Sequence, residues 1–206
     1  MGGQGCNAYG QQPLSDDDLQ RLVRVAEQSV EVAVLRGATD QPDIADHPAA
    51  LREPRAVFVT LRRHGHLRGC IGTLAATQPL VMAVADRARA SALADPRFDP
   101  VQPHELDDLE VSVSVLTAPA PLAVDDFDEL VAALRPGIDG IVVEAGQHRA
   151  TFLPSVWEEL TEPLQFLDAL WLKADLSPRT WPPHIRISRY TAQHATDEGR
   201  DRLADR

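Results

Sequence analysis

Several chemistries are excluded by what this chain lacks. It has only two cysteines, Cys6 and Cys70, in 206 residues. That rules out a disulfide framework, and with no CxxC pair there is no thiolate zinc site. No paired-histidine spacing takes its place, so no metal site is expected. Neither GxxxxGK[ST] nor GxGxxG occurs, so no phosphate-cradling loop and no bound cofactor are expected. No apolar run approaches the roughly 18 residues of a membrane span. The start has no basic stretch leading into an apolar core, which points to the cytoplasm. Basic charge is also short: the formal net charge of −11 argues against nucleic-acid binding, which needs a cationic field to displace counterions. Lysine is nearly absent, Lys173 being the single one among 20 basic residues. Either a coding bias has turned lysine into arginine, or position 173 needs a compact ammonium that a guanidinium does not imitate.

What remains is an ordinary globular composition, 44% hydrophobic, long enough for one core or for two subdomains. Residues 1–13, rich in Gly and Gln without periodicity, are expected to be disordered, and 192–206 to form a charged tail, loose or at most a short exposed helix. Ser15 followed by Asp18 reads as a helix start, and Leu19, Leu22, Val23, Ala26, Val30 and Val34 recur at helical spacing up to a stop at Gly37. "AVFVTLRR" and "HLRGCIGTL" read as strands joined across His64-Gly65. A helix follows over 79–94, then the punctuated loop "DPRFDP" and the strictly alternating strand "DLEVSVSVL". A short helix over 125–134, a second hairpin turning at Ala145-Gly146, a helix over 163–174 and a last strand "HIRISRY" complete the chain. Strands with short turns and helices between groups predict an α+β fold with mostly antiparallel sheets and flanking helices. Trp157, Trp171 and Trp181 read as core or lid aromatics.

The stretch "LRRHGHLRGCIGTL" puts a glycine on either side of Cys70, where each one weakens a strand. Side chains alternate along a strand, so Leu67, Gly69 and Ile71 share one face and His66, Arg68 and Cys70 the other. In the next strand Val111, Val113 and Val115 oppose Glu110, Ser112 and Ser114. If both strands belong to one sheet, its polar face collects a thiol, a guanidinium, a carboxylate and hydroxyls. His66, about 13 Å along the strand, is too far to serve Cys70 as base. Arg68, about 7 Å away, is placed to favour the thiolate. A bulge at Gly69 would break this parity. Cysteine is also among the most buried residue types, so an inert core thiol stands as the alternative.

"LRGCIGTL" (67–74), "DPRFDPV" (95–101), "ELDDLEVSVSVL" (105–116), "GIDGIVVEAGQHRATFLPSVWEEL" (137–160) and "LKADLSPRTW" (172–181) together resemble the AMMECR domain family, also called protein A of the AmmeMemoRadiSam system. The resemblance covers roughly residues 15–190, and "LRGCIG" is its signature. It implies an α+β domain over 14–191 with two unequal subdomains sharing a cleft, and partners among Memo-like and radical S-adenosylmethionine proteins. It points to Leu67, Arg68, Gly69, Cys70, Ile71 and Gly72 as the functional surface, with Arg97, Glu110, Arg149, Thr151, Phe152, Trp157 and Lys173 in the other matching blocks. The chain departs from the family pattern at Ala150 and Asp175, where glycine is common, and at Trp171, where a cysteine is common.

Two function classes follow. In the first, the LRGCIG surface binds a small molecule, peptide or partner, with Arg68, Gly69, Gly72, Arg149, Thr151 and Lys173 as ligand-binding candidates. In the second, the protein is a cysteine-dependent enzyme with Cys70 as nucleophile and Glu110 relaying a proton.

Overall fold

The computed structural model describes residues 12–39 and 41–197. The disorder expected over 1–13 therefore falls outside the described residues except at Gln12 and Pro13, as does the tail beyond 197. The chain is α+β, with two four-stranded sheets and flanking helices. It divides into two compact units, one running through Leu116 and resuming at Gln193, the other formed by Thr117–Ala192.

In the first unit, helix α1 (Asp16–Arg36) begins where the Ser15 hydroxyl accepts the Asp18 amide, with three aspartates at the positive end of the helix dipole. It ends at Gly37, whose φ of 60° is the left-handed conformation that glycine adopts without strain. Its Leu22, Val23, Ala26 and Val30 stripe is buried. After the short helix α2 (Ala49–Arg52), strands β1 (Val57–Arg63) and β2 (His66–Thr73) form the expected hairpin. Helix α3 (Leu80–Leu93) packs against both strands and against α1. A 3-10 turn over Pro103–Asp108 leads into β3 (Leu109–Leu116). Val57, Val59 and Leu61 of β1 and Val111, Val113 and Val115 of β3 face the helices as one apolar layer.

The sheet order is β2-β1-β3 followed by a last strand, β8 (Ala192–Thr196). Strand β8 corrects the expectation of a loose tail or a short helix from 192. Its polar sequence hides the strand, but Gln193 holds Leu14 by two side-chain bonds of 2.8 and 3.0 Å, and Ala195 enters the core. Pairing and one buried position are enough at a sheet edge.

The second unit contains β4 (Ala120–Pro121), α4 (Phe127–Ala133), β5 (Gly140–Ala145), β6 (His148–Phe152), α5 (Pro163–Lys173) and β7 (Arg186–Tyr190), with sheet order β4-β7-β5-β6. Its core is aromatic. Trp157 stacks on Phe166 at 3.9 Å, and Phe127 meets Trp171 edge-on at 5.3 Å. Trp171, at the position where the family pattern has cysteine, is fully buried and donates its indole N–H to the Thr180 carbonyl.

Candidate functional site

The hairpin register decides what Cys70 faces. From the turn, Arg63 pairs with His66 and Arg62 with Leu67; the register then shifts, and Leu61 pairs with Gly69 and Thr60 with Cys70. Arg68 is the extra residue of a β-bulge. Without it, Cys70 would lie opposite Val59, on the side that faces the helices. The bulge turns the thiol to the other face, in one row with Thr60 and, across β1, Ser112. Cys70 and Glu110 thus share a face of one sheet, as the alternation in the two strands predicts. They are two strands and one row apart, roughly 12 Å at Cα, too far for a proton relay.

The bulge also corrects the parity of Arg68 and Leu67. Leu67 joins the Cys70 face and is 38% exposed. Arg68 instead grips Glu105 through two bonds of 2.9 Å each and donates to the Asp99 carbonyl at 2.8 Å. Glu105 also accepts Arg63 and the Gln102 amide. The Arg68 guanidinium, together with these donors, pulls the Glu105 carboxyl down to about 2 against the burial that opposes it. Arg68 is committed to this pair.

The cation beside the sulfur is Arg97. Its guanidinium is anchored by Asp95, at 2.9 Å through Nε and 2.6 Å through Nη2, and Nη2 also donates to the Cys70 carbonyl at 3.2 Å. Arg97 is raised above the usual guanidinium range chiefly by Asp95, and in smaller part by electrostatic attraction from Cys70 and a hydrogen bond to its side chain. From the other side the Thr60 hydroxyl donates to Cys70 Sγ at 3.2 Å. Asp95 itself is buried, and besides Arg97 it accepts the Cys70 amide at 2.8 Å. The Arg97 bonds and these amides hold its carboxyl well below the usual carboxylate range. Cys70 is half-buried, neither sealed in the core nor fully open.

The two glycines have structural explanations. A Cβ on Gly69 would collide with the Ser91 carbonyl of α3, and one on Gly72 with the Phe58 ring. Ser91 places its hydroxyl between the strands, accepting the Ile71 amide at 2.9 Å and donating to the Val59 carbonyl at 2.8 Å. Gly69 thus lets the helix come close enough for a side chain to complete the ladder.

Arg149, Thr151 and Lys173 lie in the second unit and Cys70, Arg68 and Glu110 in the first. Thr151 donates to the Ile141 carbonyl and bonds the Tyr190 hydroxyl. Lys173 Nζ donates to the Thr151 carbonyl and lies 5.0 Å from the centre of the Phe152 ring. Arg149 pairs with Glu144 at 3.1 Å. Among the described residues no cluster of three His, Cys, Asp or Glu is arranged to hold a metal.

Thr60, Ser91, Asp95 and Glu105 escaped the sequence reading. The "DPRFDP" run reads as loop punctuation, and Thr60 is a neighbour of Cys70 only through the bulge.

The sequence of the whole domain agrees with the signature. The AMMECR1 family model matches residues 23–195, and the chain belongs to that family. It is 41% identical over 189 residues to a protein of Methanothermobacter thermautotrophicus, covering 91% of this chain and 98% of the relative. It is 38% identical over 196 residues to Protein TK0174 of Thermococcus kodakarensis, covering 90% and 93%. The crystal structure of the uncharacterized protein PH0010 from Pyrococcus horikoshii superimposes with a TM-score of 0.84 at 35% identity, covering 90% of this chain and 94% of the other.

Proposed function

We propose that the protein is a binding module. Its LRGCIG surface, the row Cys70–Thr60–Ser112 with Arg97 beside the sulfur, holds a small anionic ligand or an acidic group of a partner protein. Memo-like and radical S-adenosylmethionine proteins are the partners that the family resemblance supports. The observation that carries this reading is the state of Asp95. It is the one carboxylate in the Cys70 cluster, and Arg97 and the backbone amides of Cys70 and Arg97 occupy its oxygens. It builds an anchored cation and leaves no base for a nucleophile. Arg97 has 52% of its side chain exposed.

The enzyme reading keeps one observation in its favour, the Thr60 hydroxyl and the Arg97 guanidinium gathered at one cysteine. Thermal melts with inorganic phosphate and simple mono- and dicarboxylates separate the two. Binding predicts a saturable stabilisation that persists in Cys70→Ser, disappears in Arg97→Ala and partly returns in Arg97→Lys. No stabilisation by any of these anions, or an equal one in Arg97→Ala, overturns the anion-site reading. A stoichiometric acyl adduct on Cys70 after exposure to an activated ester, absent in Cys70→Ser, would instead favour the enzyme.

A further inference from the structure

Among the described residues the two sheets have four edges, and three of them offer no open template. Asp95 and Arg97 close β2, Gln20 of α1 donates to the Thr196 carbonyl of β8, and β4 is two residues long. The fourth edge is β6, and its orientation follows from the ladder. Main-chain groups along an antiparallel strand point alternately to one neighbour and to the other. The Leu122 amide takes the Ile187 carbonyl at 2.9 Å, so Ile187 faces β4 while Arg186, Ser188 and Tyr190 face β5. Their partners Glu144, Val142 and Gly140 therefore face β7, which leaves Ile141, Val143 and Ala145 to bond Phe152, Ala150 and His148. The main chains of Arg149 and Thr151 point the other way, off the sheet, and no strand among the described residues lies beyond them. Lys173 Nζ, 3.1 Å from the Thr151 carbonyl, marks that outward direction.

An edge in this state is a template for another extended chain. The charge around it indicates which kind. Arg149 and Arg186 flank Glu144 in one cross-strand row and share its carboxylate at 3.1 and 3.4 Å. Lys173 adds an ammonium at the edge itself, and Asp175 stands 3.8 Å from His148. Three cations against two carboxylates make this end of the sheet positive, on a chain whose formal net charge is −11. A second copy is a poor occupant, because pairing β6 with itself sets these cations against one another. An acidic strand is a good one. Its carboxylate opposite Arg149 would lie on the same face as the guanidinium, as cross-strand partners do.

We propose that the β6 edge docks an acidic extended segment of a partner protein, which adds a fifth strand to this four-stranded sheet beside Arg149 and Thr151. The site uses no residue of the LRGCIG surface, and its failure would leave that reading untouched.

The probe is a short capped peptide of alternating valine and glutamate, titrated into the isotope-labelled full chain and followed by NMR. Salt at about 0.15 M screens diffuse attraction. The expected result is a saturable shift of the Arg149 and Thr151 amides, with hydrogen exchange slowed at both. Two further peptides, N-methylated on every valine or on every glutamate, separate main-chain pairing from charge. A docked strand turns one set of amides to β6 and the other to solvent, so one methylated peptide should lose binding and the other keep it. Arg149→Gln should weaken affinity about 2- to 5-fold, the loss of one cross-strand charge pair, and the charge-matched control Arg21→Gln should not. Arg149 has 58% of its side chain exposed, so the variant leaves the core intact. Equal binding of a valine–lysine peptide, indifference to both methylations, or no saturable shift at the two amides overturns the proposal. So does a dimer in sedimentation whose Arg149 and Thr151 amides are already protected, which would assign the edge to a second copy.

Discussion

At the scale of single residues, Gly69 and Gly72 flank one thiol yet differ in what they exclude. The neighbour of Gly69 is main chain, the Ser91 carbonyl in the last turn of a packed helix, so relief of the clash must move backbone. The neighbour of Gly72 is the half-buried Phe58 ring, which can rotate. Gly69→Ala is therefore expected to destabilise by about 3 kcal/mol, near the upper end for overpacking, and Gly72→Ala by about 1. Urea melts of the two variants give the comparison, and equal losses would contradict it. Arg68 and Arg97 form a second contrast. Position in the sequence makes Arg68 the neighbour of Cys70, but its guanidinium is held by Glu105, while Arg97 lies at the sulfur. Alkylation of Cys70 at mildly acidic pH should accordingly slow in Arg97→Ala and be little changed in Arg97→Lys, with Cys6 in the same chain as the internal reference. A drop confined to Arg68→Ala would restore the arrangement expected from the sequence.

At the scale of elements, β2 is an edge strand, and edges invite pairing with other chains. Here α3 and the loop after it close that edge with side chains: Asp95 takes the Cys70 amide and Arg97 the Cys70 carbonyl. Ser91 bridges the next rung inward. Ser91→Ala leaves the Ile71 amide and the Val59 carbonyl without that bridge, and a loss of about 2 kcal/mol is expected. The Ile71 amide should show the largest gain in hydrogen exchange; protection unchanged there would mean the strands close directly. The same elements show how far sequence carries. The helices over 16–36, 80–93 and 163–173 and both hairpins are legible because long apolar periodicities and glycine turns are local signals. The shared face of Cys70 and Glu110 is legible too, although the parity of β2 reaches it without the bulge that produces it. Gly69 marks a bulge only as a possibility, because what fixes it is the hold of Glu105, 37 residues away, on Arg68. Strand β8 is silent for a related reason: a polar edge segment acquires its conformation from its partner, not from its own pattern.

For the molecule as a whole, the strongest titration effects are divided between the chain's two units. The two carboxylates held below their usual range, Asp95 and Glu105, are both in the first unit. The group raised by burial in the second is Tyr190, whose hydroxyl lies between Thr151 and the Phe152 carbonyl. Glu105 is depressed on folding from 4.5 to about 2. Its contribution to stability is therefore complete above about pH 4.5 and is lost as the pH falls from there toward 2, because only the unfolded chain takes up the proton in that interval. Tyr190 has the opposite sense. Burial favours its neutral form, so its contribution is complete below the ordinary phenol value of 10 and is lost as the pH rises above it. All three tryptophans, Trp157, Trp171 and Trp181, lie in the second unit, so their emission reports that unit alone. Acidification from neutrality should weaken far-ultraviolet circular dichroism between about pH 4.5 and 2 before tryptophan emission shifts, and alkali above pH 10 should reverse the order. Glu105→Gln tests the assignment. It lowers stability at neutral pH by about 3 kcal/mol, as removal of one partner from a buried pair does, and flattens the acid limb. Coincident acid transitions in the two signals, or an acid limb of unchanged slope in Glu105→Gln, would show that the Arg68–Glu105 pair does not govern the first unit's acid response.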